Sequence, residues 1–339
     1  MIHISLLSSI HSLLAARTLL APDTYLYIGW GILALLTLAG LLVWWRARRR
    51  WKKWTVGVVV PLLWCAFVYG AFVGPYELEV RRVELGFDDL PPAFDGYRIV
   101  LFSDLHVGTL TDGRRTILER AIDSINAQQA DLAVFAGDLQ NKKPMEIAPF
   151  VDLLNTVEAK DGVFAVKGNH DYPMYVDDED EKYEDELIRS QIDETIRWSF
   201  LNNGRTTIVR GDEHIIIAGM ENDGDGERFP QKGNIQQTLS RVFRDEFVVM
   251  LEHDPSAWRR KILPQSHVQL TLSGHTHGGQ VSLFGLSPAL FAYSEPNGLY
   301  TLGGRSIYVT SGVGGVVPFR LGVSPEIVVI TLRKSSQKP

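Results

Sequence analysis

Five of the nine histidines fall in an ordered series of short polar clusters: Asp104-Leu-His106, Gly137-Asp138, Gly168-Asn-His-Asp171, His253 and Gly274-His-Thr-His277. Carboxylate, amide and imidazole donors in this mixture suit Mn, Fe or Zn, and no thiolate accompanies them to impose a tetrahedral structural zinc site. The glycines ahead of Asp138, Asn169 and His275 permit tight turns that bring backbone and ligands close together. Taken singly, an Asp-x-His or a Gly-Asp is commoner as turn chemistry than as a metal site. Five in series point to metal binding.

Donors so far apart in the chain need a scaffold that gathers them. Short β-branched runs read as strands at Arg98–Phe102, Leu132–Ala136, Val163–Val166, Thr207–Val209, Ile215–Ala218, Phe247–Leu251, Val268–Leu272, Ser306–Thr310 and Ile327–Leu332. Amphipathic runs at Arg114–Gln128, Glu146–Glu158, Asp185–Trp198, Ile235–Phe243 and Ser256–Leu263 read as helices. Each polar cluster follows one of the strands. Strand and helix alternate first, and strands dominate later, which favours an α/β sandwich with sheets inside and helices outside. In such a sheet the loops after the strands collect at one edge, where distant residues converge.

The order D-x-H, G-D, G-N-H-D, H and G-H-x-H resembles the signature of the calcineurin-like metallophosphoesterase superfamily, and the resemblance covers residues 96–332. The ending Gly274-His-Thr-His-Gly-Gly-Gln280, with Gly312-Val-Gly-Gly315, Arg320 and Pro325-Glu326, is similar to its membrane-associated bacterial branch. The resemblance implies a four-layer αββα sandwich holding two divalent or trivalent metal ions. It implies one ion on Asp104, His106 and His277, the other on Asn169, His253 and His275, and Asp138 bridging both. A shared anionic ligand offsets the repulsion between two close cations, which polarise phosphoryl oxygens and lower the pKa of a bridging water. The implied reaction is hydrolysis of a phosphodiester, phosphomonoester or pyrophosphate by a metal-bridging hydroxide. His170 takes the place of the family's non-ligand catalytic histidine, and Asp171 is expected to orient its imidazole.

The N-terminal part has a different character. Residues 1–80 hold seven Lys or Arg against three acids, a surplus of four, whereas the rest of the chain carries a deficit of ten. Residues 25–45 and 55–76 contain no charge, and each is long enough for a helix to cross a hydrocarbon core about 30 Å thick. Residues 1–80 thus read as a membrane anchor, 81–93 with Leu90-Pro-Pro92 as a rigid linker, 94–334 as the metallophosphoesterase domain and 335–339 as a tail. Six of the eight residues Arg46–Lys53 are basic, so the positive-inside rule puts this short loop in the cytoplasm and the catalytic domain outside it. Residues 1–20 fit a third span, an interfacial helix or part of a signal. The lone Cys65 lies in the second span.

Several other features carry weaker expectations. Residues 177–186, eight acids in ten, read as a solvated acidic loop leading into a helix. Glu221–Glu227 reads as a polar loop near the mouth of the site. Glu252 and Asp254 flank His253, either supporting it from behind or facing solvent. Arg320 is expected either to reach a phosphate or to form a surface ion pair. His214 and His267 have no motif around them. The acidic domain disfavours nucleic acid as a partner, and a tethered hydrolase suggests a lipid-linked or envelope phosphate ester. A non-catalytic membrane receptor on the same fold would be expected to lack a ligand, and none is missing. A pyrophosphatase of the UDP-2,3-diacylglucosamine type becomes the better reading if the domain lies in the cytoplasm.

Overall fold

The computed structural model describes residues 20–227 and 229–335. The chain opens with α1 (Pro22–Arg46) and α2 (Arg50–Phe72), both long and apolar enough to cross a membrane. No residue of α1 is buried, and only Gly70 and Ala71 of α2 are. The two pack as a hairpin: Gly29 sits against the Phe67 ring, Gly40 against Val56 and Val60, and Trp30 meets Trp64 and Phe67 with ring centroids 5.2 Å apart. Small residues at such an interface let helices approach closely where no hydrophobic effect drives them together. Residues 1–19, where a further span was considered, and the tail 336–339 lie outside the described residues.

Twelve strands form two six-stranded sheets. The first takes the order β1 (Glu79–Phe87), β12 (Glu326–Lys334), β2 (Arg98–Phe102), β3 (Leu132–Phe135), β4 (Val163–Ala165) and β5 (Ser199–Phe200). The second takes the order β10 (Gly298–Leu302), β11 (Arg305–Val309), β9 (Leu270–Ser273), β8 (Val248–Leu251), β7 (Glu213–Gly219) and β6 (Gly204–Arg210). Strand alternation divides the apolar side chains between layers. Ile99 and Leu101 of β2 join Leu132, Val134, Ile215, Val249, Leu270 and Val328 between the sheets. Val100 and Phe102 face outward under α3 (Arg115–Ala127). A third cluster, with Trp258, Ile216, Val248 and Ile307, covers the outer face of the second sheet. Three cores separate four layers, the αββα sandwich.

The structure corrects three readings. Residues 81–93 are not a free linker, because most of that stretch belongs to β1, which pairs in parallel with β12 from Glu79↔Glu326 to Phe87↔Lys334. Leu85 and Phe87 enter the inter-sheet core, so the domain begins near residue 79 rather than 94. The helix expected over 146–158 shrinks to the single turn Val151–Leu154, preceded by 3-10 turns. Pro149 disfavours helical backbone at Ala148, within the first turn of the expected helix. The acidic run is largely helix: α4 (Glu179–Thr195) starts where Asp178 accepts the Glu181 N–H at 3.0 Å, and acids in a first turn complement the helix dipole. Lys143 ties Glu181 and Asp185 at 2.5 and 2.9 Å.

A fragment starting at Gly74 is therefore expected to be several kcal/mol more stable than one starting at Phe94, since the shorter loses the burial of Leu85 and Phe87 at roughly 1.5–3 kcal/mol each. Chemical denaturation of the two fragments measures the difference, and equal midpoints would show that β1 is dispensable.

Candidate metal centre

The five clusters leave their strands at the same edge. Asp104 follows β2, Asp138 follows β3 and Asn169 follows β4, three adjacent parallel strands. His253 follows β8 and His275 follows β9, adjacent parallel strands of the second sheet. Asp104, His106, Asp138, His275 and His277 all have φ between 42° and 74°. Non-glycine residues seldom adopt this left-handed region, and where they do so in a cluster the surrounding structure holds the strain for a functional geometry. Neighbouring glycines make the approach possible. A Cβ on Gly168 would overlap the Asp138 carboxylate, and one on Gly274 would overlap Ser103 and Asp104.

The side chains fall into two groups that share one member. Asp104, His106, Asp138 and His277 offer ligand atoms within 4.8 Å of one another, as do Asp138, His253 and His275. Nε2 of His106 and Nε2 of His277 face each other at 3.2 Å. Asp138 Oδ2 lies 3.5 Å from His106 Nε2 and 3.1 Å from His253 Nε2. Asn169 Oδ1 meets His275 Nδ1 at 2.7 Å. Asp104, His106, Asp138, Asn169, His253 and His277 are buried.

The donor set fits a pair of cations. His253 Nδ1 donates to the Ala136 carbonyl at 2.6 Å, which fixes the tautomer and leaves Nε2, with no hydrogen-bond partner, aimed into the site. Burial and the neighbouring charges pull the titratable groups here in different directions. Burial lifts the Asp104 carboxyl to about 7, and burial holds His106 and His277 well below the usual imidazole range. Burial opposes charge on His253 as well, yet the Asp138 carboxylate overrides it and raises the imidazole to about 10.

The structure assigns Asp171 a different task from the one expected. Its carboxylate accepts the N–H groups of Asp138 and Gly168 at 2.9 Å on one oxygen, and those of Leu139 and Gln140 at 2.9 and 3.2 Å on the other. Arg189 of α4, itself buried, adds an ion pair at 2.5 Å. No oxygen is left for the His170 ring. That ring donates from Nδ1 to the Asn141 carbonyl at 2.6 Å, and its Nε2 meets the Tyr175 hydroxyl at 2.9 Å. Asp171 locks the turn that carries Asp138, and Asn141 orients the imidazole. The His170 backbone N–H donates to Asp138 Oδ1 at 2.8 Å, so Oδ2 is the oxygen that faces both donor groups.

Other residues resolve as follows. Glu252 is buried and accepts the N–H groups of Asp223 and Asp254 at 2.8 and 3.0 Å, which braces the loop Glu221–Glu227 from behind. That loop lies at the site, with Gly224 close to Asp254 and the Phe229 ring, just beyond it, edge-on to His275 at 5.3 Å. Asp254 Oδ2 lies 3.5 Å from His275 Nε2. Arg320 reaches neither an open phosphate site nor a surface acid: it is buried, its Nη2 donates to the carbonyls of Ser311, Gly312 and Gly314, and burial lowers its pKa to about 10. His214 pairs with Glu246 at 2.8 Å, and His267 precedes β9 at the edge opposite the ligands. No motif marks Tyr175, Arg189 or Tyr293, whose hydroxyl meets His275 Nε2 at 2.6 Å.

The sequence profile of the calcineurin-like phosphoesterases matches residues 97–279, just over half of the chain and every ligand candidate. The chain belongs to that family. Its curated relatives include the "Uncharacterized metallophosphoesterase YkuE" of Bacillus subtilis (strain 168), 30% identical over 79% of this chain and 90% of its own length. The "Transmembrane protein with metallophosphoesterase domain" of Danio rerio is 29% identical over 79% of this chain, which spans 60% of that longer protein. "Phosphodiesterase YaeI" of Escherichia coli (strain K12) is 26% identical over 84% of this chain and 99% of its own length.

For this calcineurin-like phosphoesterase, Asp171→Asn is expected to lower the unfolding free energy by roughly 3–5 kcal/mol, because it unpairs the buried Arg189 and turns an amide towards N–H donors. Urea titration measures it. A loss under about 1 kcal/mol would mean that the carboxylate is not the tie described.

Proposed function

We propose that this chain is a membrane-anchored, dinuclear-metal phosphodiesterase whose catalytic domain lies outside the cytoplasm. The observation that carries the reading is that Asp138 belongs to both donor groups, so two cations have one carboxylate in common. Asp104, His106 and His277 would hold one cation, and Asn169, His253 and His275 the other. When bound, the metals polarise phosphoryl oxygens and lower the pKa of the attacking water.

The remaining roles fall to the protein's own groups. Asp138 Oδ1, held by the His170 N–H, keeps Oδ2 turned between the two donor groups. Ala136, through its carbonyl, holds the His253 lone pair on target. With Nδ1 committed to Asn141, His170 presents only Nε2 to a reacting oxygen, and a proton held there would pass to the leaving group. Diester cleavage is favoured by the likeness to the E. coli relative, which is named a phosphodiesterase. Placement outside the cytoplasm is favoured by the hairpin geometry: Asp23 at the start of α1 pairs with Arg114 of the domain at 2.8 Å, α2 runs into the domain, and the basic residues 46–53 lie at the far end. A lipid-linked ester is the substrate that such tethering serves best.

Three outcomes are expected. The purified full chain hydrolyses bis(p-nitrophenyl) phosphate faster than p-nitrophenyl phosphate with Mn2+, and chelator abolishes both rates; turnover that survives chelation would refute the metal-dependent reading. Asp138→Asn loses bound metal and turnover together, whereas His170→Ala keeps its metal and loses about 10²–10⁴-fold in rate. Normal turnover by His170→Ala would remove it from catalysis. A reporter that works only in the cytoplasm, fused after Pro339, stays silent, and its activity would reverse the assigned side.

A further inference from the structure

Between Gly278 and Ser294 the chain carries no charge, and Leu283, Phe284, Leu286, Leu290 and Phe291 within that stretch are all exposed. Among the described residues beyond α2, thirteen large apolar side chains are exposed, and the nine residues 283–291 hold five of them. The tip is a two-residue hairpin in which Leu283 and Leu286 exchange backbone hydrogen bonds at 3.0 Å. Phe284 and Gly285 form its turn with φ of 54° and 80°. That turn favours Asn-Gly or Asp-Gly. A phenylalanine held at positive φ with its ring wholly in the open is strained to present an apolar group, and no packing within the domain accounts for it.

The root of the loop ties it to the helical hairpin. Val281 bridges to Leu321, Ser282 N–H donates to the Leu321 carbonyl at 2.8 Å, and the Gln280 amide donates to the carbonyls of Val317 and Phe319 at 2.7 and 2.8 Å. The same segment grips the end of α2. Arg320 N–H donates to the Gly70 carbonyl at 2.8 Å, and Phe319 packs on Phe67 and over Gly70. The other side of the loop reaches the metal centre. Ser287 donates to the Gly278 carbonyl at 2.6 Å, and the Tyr293 hydroxyl meets His275 Nε2.

We propose that residues 281–294 form a second membrane contact, whose tip enters the same leaflet that receives α1 and α2 and brings the metal centre down to the bilayer surface, where phosphate esters carried by lipids reach it. The proposal rests on the reading of α1 and α2 as a membrane anchor. An uncharged, aromatic-tipped loop beside a bilayer-embedded helix end has hydrocarbon and headgroups as its nearest apolar cover.

The test uses the full chain in phospholipid vesicles with Cys65→Ser as background and single cysteines from Leu35→Cys, Phe284→Cys, Phe291→Cys and Val209→Cys, each carrying an environment-sensitive fluorophore. Nitroxide-labelled lipids are expected to quench positions 35, 284 and 291 and to leave 209, on edge strand β6, bright. Positions 284 and 291 quenched no more than 209 would overturn the loop proposal while leaving the anchor intact. An unquenched position 35 would remove the anchor and the proposal with it. A blue shift at 284 without nitroxide quenching would show a protein partner or a second copy in place of lipid, and would overturn it as well.

Discussion

The buried carboxylate of Asp171 is the tie on which the site depends. It gathers the N–H groups of the turn after β3 and of the turn after β4, and Arg189 of α4 neutralises it from outside. A buried ion pair alone is weak evidence for stability. This one is saturated with backbone donors, and it joins two loops that are also linked by the His170 N–H on Asp138 and the His170 ring on the Asn141 carbonyl. Asp138 sits in one of those loops and His170 in the other, so the distance between the carboxylate common to both donor groups and the His170 imidazole is set by a residue that belongs to neither group. Asp171 follows His170 in the chain, but its carboxylate holds the backbone turn that carries Asp138.

The second sheet supplies the other half. His253 and His275 leave β8 and β9 opposite the loops of the first sheet, and the inter-sheet core of Ile99, Leu101, Val249 and Leu270 fixes the gap between them. Rigid packing of this kind keeps the two donor groups in register, since close-packed interiors transmit displacement with little slack. The metal centre is in this sense a product of sheet-on-sheet packing, with left-handed turns as its local fittings.

The candidate donors stood out in the sequence because each comes with a local requirement, a glycine before it or a fixed spacing beside another donor. The strands behind them were legible because Val, Ile, Leu and Phe cluster there. What escaped depends on distant partners. β1 reads Glu-Val-Arg-Arg-Val-Glu-Leu-Gly-Phe, a charged edge strand whose partner β12 lies at the other end of the chain. β5 is two residues long, and β10 is an edge strand with a half-exposed pattern. The role of Asp171 was misread because proximity in sequence suggested His170, whereas the fold turned its carboxylate towards four backbone amides. Tyr175, Tyr293 and Arg189 belong to no motif, and only the folded chain brings them to the site.

The central claim is that two cations share Asp138. Crystals grown with Mn2+ and measured at an energy where manganese scatters anomalously test it directly. Two anomalous peaks about 3.5–4 Å apart, on either side of Asp138 Oδ2 and within reach of the two donor groups, are the predicted result. A single peak, or peaks that do not touch Asp138, would contradict it.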